Sequence, residues 1–114
     1  MSGNPNKDRG SEFERQVAKF LAENGFPYAE RRYGAGNTQD KGDINGLPGL
    51  VIECKSVKTI DIPGFLREAE REKENAKADY GIVVIKRKGT TDAGRAYVVM
   101  ELKDFARLWK ERDE

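Results

Sequence analysis

Leu50-Val51-Ile52-Glu53-Cys54-Lys55 reads as a strand, and its two charges decide what must be built around it. Side chains alternate along extended backbone, so Leu50, Ile52 and Cys54 share one face while Glu53 and Lys55 share the other. Taken alone, an acid and a lysine side by side form an exposed ion pair on an edge strand, worth about 0–1 kcal/mol. Immediately upstream, Asp43-Ile44-Asn45 reads as a second strand, joined to the first by the turn Gly46-Leu47-Pro48-Gly49. Positions symmetric about Pro48 then pair, which sets Asp43 opposite Glu53. Like charges directly opposite one another destabilise a sheet, and one lysine only partly offsets two carboxylates. A divalent cation is the expected missing partner, because Mg²⁺ is commonly held by one or two carboxylates plus waters and substrate phosphate. The alternative for Asp43 is a plain strand-entry residue after Gly42.

Outward from this hairpin, the pattern predicts a mixed α/β domain. Ser11-Glu12-Phe13-Glu14 has the form of a capping box, and Phe13, Val17, Phe20 and Leu21 follow at helical spacing, giving a helix over 11–24. Phe26 to Tyr33 reads as a strand, and Tyr33 to Gly42 as a mobile loop. Pro63 opens a long charged helix ending near Asp79. Its alternating Arg, Glu and Lys suggest a solvated face with i,i+4 pairs. Gly81 to Lys86 is β-branched and apolar, hence a buried inner strand. Arg95 to Glu101 is a further strand, and Lys103 to Arg112 a closing helix whose Phe105, Leu108 and Trp109 are expected in the core or in a dimer seam. The order α-β-β-β-α-β-β-α implies a central mixed five-stranded sheet flanked by helices. Residues 1–10 read as a flexible arm and 11–114 as a single domain.

Composition narrows the chemistry. The chain has 114 residues, 21 Lys+Arg against 20 Asp+Glu, no histidine and one cysteine. Imidazole bases, Ser-His or Cys-His relays, His-ligated zinc and an internal disulfide are therefore excluded. Hydrolysis would have to come from carboxylates, lysines and a hard cation. No run of about 18 apolar residues spans a bilayer and no secretory signal is visible, so a cytoplasmic protein is expected. Cys54 reads as a small buried core residue.

Glu14 is the third acid. At 100° per residue it falls on the margin of the Phe13-Val17-Phe20-Leu21 stripe, able to reach a centre built where the first helix packs on the sheet. A capping role can coexist with that.

Glu14, Asp43, Glu53 and Lys55 together spell a helix acid followed by D-(x)n-E-x-K. This resembles the PD-(D/E)XK nuclease superfamily, with Gly42 in place of the proline. Arg9-Gly10-Ser11-x-x-Glu14, Gly25-Phe26, Arg32, Gly42-Asp43 and Ile52-Glu53-Cys54-Lys55 further resemble the archaeal-type Holliday junction resolvases and their phage relatives, over about residues 7–101. The resemblance implies a restriction-endonuclease-like fold. It also implies a site in which Asp43 and Glu53 hold Mg²⁺ or Mn²⁺, Glu14 completes it and Lys55 handles the attacking water. The implied substrate is a four-way DNA junction cut by paired nicks in a homodimer, with no membrane and no small-molecule cofactor. Other nucleases of the superfamily, or a non-catalytic DNA-binding module on the same fold, are the alternatives.

Phosphate contacts need cations. Arg31 and Arg32 precede the loop, Lys41 lies within it, and Lys86-Arg87-Lys88 leaves the inner strand. With Arg9 and Ser11 these are the candidate DNA contacts. Where the archaeal resolvases carry a serine-rich stretch, this chain has Arg32-Tyr33-Gly34-Ala35-Gly36, leaving Asn37 or Thr38 to substitute. A near-neutral total charge speaks against a whole-surface nucleic-acid binder, not against a local patch.

Overall fold

The computed structural model describes residues 5–32 and 40–113, with side chains from residue 9 onward. Asn37 and Thr38 lie outside the described residues. Helix α1 spans Pro5–Glu23, six residues earlier than the capping-box signal suggests, so residues 5–10 of the expected arm are helical. Proline suits a first helical turn, where its missing N–H leaves no bond unmade. Ser11 consequently sits inside the helix and caps nothing. The helix ends as expected, with Asn24 N–H donating to Leu21 O (3.1 Å) and Gly25 at φ +107°.

Strand β1 is confined to Glu30–Arg31, a correction to the expected Phe26–Tyr33. Pro27 lacks a donor, and the chain turns instead, with Ala29 N–H on Phe26 O at 2.9 Å. Strands β2 (Ile44–Asn45) and β3 (Leu50–Lys55) pair antiparallel with Ile44 opposite Ile52, the register symmetric about Pro48. Helix α2 (Ile62–Ala76) is capped by the Asp61 side chain on Gly64 N–H and stops at Lys77, which has φ 54°. It leads into β4 (Tyr80–Ile85), parallel to β3. A short 3-10 helix (Ala93–Arg95) precedes β5 (Tyr97–Val99), antiparallel to β4. Helix α3 (Leu102–Glu111) closes the chain. The five strands form one mixed sheet in the order β1-β2-β3-β4-β5, so the expected mixed α/β architecture is present.

The pleat distributes two cores. Phe13, Val17 and Ala18 of α1 pack on Ile44, Ile52, Cys54 and Val84. On the opposite face Phe65, Leu66 and Ala69 of α2 pack on Val83 and Ile85. Glu53 is the register partner of Val83, so it belongs to the α2 side of the sheet. Phe105, Leu108 and Trp109 of α3 are not core: each is about half exposed. No described helix is long and apolar enough to cross a membrane.

Candidate metal centre

Asp43 follows Gly42, whose φ of +94° is closed to proline, so the glycine at this position is a requirement of the local backbone. Asp43 N–H donates to Ile52 O (2.8 Å), and the Asp43 carboxylate accepts from Cys54 N–H (2.8 Å). These two bonds lock its side chain against β3 next to Glu53, whose carboxyl is near enough to act on its titration. Lys55 extends from the same strand. Its Nζ lies 3.2 Å from Glu53 Oε2 and 2.7 Å from Glu68 Oε1, and 5.1 Å from the Phe65 ring centroid. The expected trio Asp43, Glu53 and Lys55 is therefore gathered in one place.

Glu14 stands apart from this trio in its bonding. Arg31 Nε donates to Glu14 at 2.7 Å and Arg31 Nη2 donates to Ser11 Oγ at 2.8 Å. Glu14 remains near enough for its charge to act on Asp43 and Cys54. The acids that complete the cluster come instead from α2 and from the end of the loop. One carboxylate oxygen each from Asp40, Glu53, Glu68 and Glu72 lies within 4.8 Å of the others, an arrangement able to hold a metal ion. Asn75 Nδ2 holds Asp40 O (2.9 Å), and Asp40 accepts from Gly42 N–H (2.9 Å), which ties the loop end to α2.

This corrects the reading of α2 as a solvated face. Glu72 is fully buried, and Glu68 pairs with Lys55 of the sheet, while Lys73 and Glu70 (2.8 Å) form a half-buried pair along the helix. A sequence signal for Glu72 exists: Phe65, Ala69, Glu72 and Ala76 recur at helical spacing, with an acid in an apolar stripe. The run of charges on either side conceals it.

The electrostatics follow from burial. Burial first, then the neighbouring acid Glu14, push Asp43 up to about 6 despite the hydrogen bond from Cys54 N–H. Burial and contact with Asp40 push Glu72 up to about 8. Glu53 is driven higher still, by burial and then by Glu72, Asp43 and Glu68. Burial would lower the Lys55 ammonium, yet its bonds to Glu68 and Glu53 together hold it above the ordinary lysine value. Burial also pushes the Cys54 thiol up, which suits a packed and unreactive sulfur. Buried oxygens Glu53 Oε1, Glu72 Oε1 and Glu72 Oε2 have no donor. They face other acceptors, so a shared proton or a cation is what can satisfy them. The residues present fit a hard divalent ion.

Basic groups border the cluster. Arg32 N–H donates to Asp43 O (2.7 Å), and Arg32 Nε is buried with no acceptor among the described residues. Lys41 is exposed. Lys86 N–H donates to Lys55 O (2.9 Å), so Lys86-Arg87-Lys88 leaves the sheet at the same end as Lys55. Lys86 Nζ is bonded to Thr90 O (2.9 Å), Arg87 is half-buried, and Lys88 and Arg9 are exposed. No family model, curated protein or solved structure matches the chain.

Proposed function

We propose that the chain is a metal-dependent DNA endonuclease of the PD-(D/E)XK type, resolving four-way junctions in the cytoplasm by paired nicks from two copies. One observation carries the reading. Asp43 and Glu53 converge across the β2-β3 hairpin beside Lys55 Nζ, among buried carboxylate oxygens that no donor satisfies. A structural ion pair needs no such concentration of acids, because burying like charges is costly without a counter-ion.

Asp43 and Glu53 would hold Mg²⁺ or Mn²⁺. Bound there, the ion would supply a lowered pKa for its water and a counter-charge for the phosphate. Lys55 is fixed between Glu53 and Glu68, so its ammonium can orient the attacking water and offset charge growing on the scissile phosphate. Arg32, Lys41 and the Lys86-Arg87-Lys88 loop supply backbone contacts that read shape rather than base sequence. Arg31 acts through Glu14 and Ser11, stiffening the α1 side of the site. Two matching sites in a symmetric pair suit a substrate with two equivalent strands.

The decisive experiment compares cleavage of matched junction, flap and linear duplex DNA, with Mg²⁺ and with chelator. Mg²⁺-dependent nicking of the junction is expected, with a loss of about 10²-fold or more in Asp43→Asn, Glu53→Gln and Lys55→Ala that remain folded. Normal cutting by all three variants would refute the site. Preference for flap or linear DNA would keep the chemistry and reassign the substrate.

A further inference from the structure

We infer that α2 and the loop end build a second divalent-cation site, with Glu72 and Asp40 as its own ligands, Glu68 at its margin and Glu53 shared with the Asp43 site. The inference rests on the nuclease reading for the first ion and adds ligands which that reading does not use.

Glu72 carries the argument. Its side chain is fully buried, both its oxygens lack a donor, and one of them lies within 4.8 Å of oxygens from Asp40, Glu53 and Glu68. A buried carboxylate aimed at other carboxylates is among the costliest arrangements in a protein unless it binds a cation or holds a proton, and a cation can take the place of that proton. Lys55 does not discharge this role, because its ammonium is engaged with Glu53 Oε2 and Glu68 Oε1 and makes no bond to Glu72. The atoms left over, Glu53 Oε1 and both Glu72 oxygens, are those needing a partner. Charge counting agrees. Asp40, Asp43, Glu53, Glu68 and Glu72 against Lys55 leave four negative charges when ionised, matched by two divalent ions. All-oxygen donors select Mg²⁺, Mn²⁺ or Ca²⁺ over softer metals. The fold supplies the rigidity: Asn75 fixes Asp40, and Ala69 seats α2 against Val83, one turn from Glu72.

Mn²⁺ titration of the whole chain, following free ion by electron paramagnetic resonance, tests this directly. Two ions per chain are expected, with one lost in Glu72→Gln and the other lost in Asp43→Asn. The shared Glu53 predicts magnetic coupling between the two ions, absent from either variant. Asp40→Asn and Glu68→Gln, at less buried positions, should weaken the second ion about tenfold with the fold unchanged by circular dichroism. One ion that survives Glu72→Gln but not Asp43→Asn overturns the second site and leaves the nuclease reading intact. One ion lost in both variants also overturns it, since a single shared site would then suffice. One ion lost in Glu72→Gln but kept in Asp43→Asn supports the α2 site and removes the metal from Asp43.

Discussion

At the residue scale the buried acids make stability depend on pH in a direction opposite to the usual one. Paired carboxylates normally favour the folded state above their pKa. Here Asp43 is raised from 3.8 to about 6 and Glu72 from 4.5 to about 8, so the folded chain keeps protons that the unfolded chain releases. Their contribution is complete below the unfolded values and is lost as pH climbs through about 6 and then about 8. Thermal unfolding in chelator should therefore give a higher Tm at pH 5 than at pH 8. Mg²⁺ should raise Tm more at pH 8 than at pH 5, since binding displaces those protons. Equal responses at both pH values would contradict protonated acids at the site. Glu72→Gln should stabilise the metal-free protein at pH 8 by about 1 kcal/mol or more, roughly 4 °C in Tm, and should reduce the Mg²⁺ response.

The elements show what was legible beforehand. The β2-β3 register could be read because strand period is two residues and the Gly46-Leu47-Pro48-Gly49 turn fixes the centre of symmetry. Asp43 beside Glu53 followed from that register. Helix α1 began early because Pro5 is a better start than Ser11, a choice the capping-box pattern alone does not settle. Glu68 and Glu72 are concealed in the sequence because charge composition does not say which face of α2 meets the sheet. That is decided by Ala69 against Val83 and Ile85. Two glycines are the mechanical joints of the site. A Cβ at residue 46 would overlap the Tyr28 carbonyl, and one at residue 42 would lie 2.9 Å from Val51 Cγ1. Gly42→Ala should cost about 2 kcal/mol in urea unfolding, from left-handed strain and crowding, and should weaken metal binding by moving Asp43. Gly46→Ala should cost at least as much. Unchanged midpoints for both would show that the hairpin backbone is more pliable than its dihedrals indicate.

On the scale of the whole molecule, the β5 edge and the α3 helix are apolar and open. Tyr97 and Val98 on the edge strand β5 are more than half exposed, as are Leu102 and Trp109, with Phe105 and Leu108 close behind. An apolar edge strand beside an apolar helix stripe is a surface that soluble proteins usually cover. On the proposed reading a second copy covers it, and sedimentation should show a dimer that Trp109→Asp shifts toward monomer without loss of helix content. Junction binding should weaken steeply with salt, since phosphate contacts dominate. The attachment of α3 has its own outcome. Tyr80 donates to Glu111 (2.7 Å) and accepts from Arg107 (2.9 Å), whose guanidinium also bonds Asp79 O and covers the Tyr80 ring at 4.2 Å. None of the α3 residues is buried. So slender a tether lets the ten residues of α3 open independently of the sheet. In dilute solution their amides should trade hydrogen for deuterium long before those of β3 and β4, and the gap should narrow as protein is concentrated.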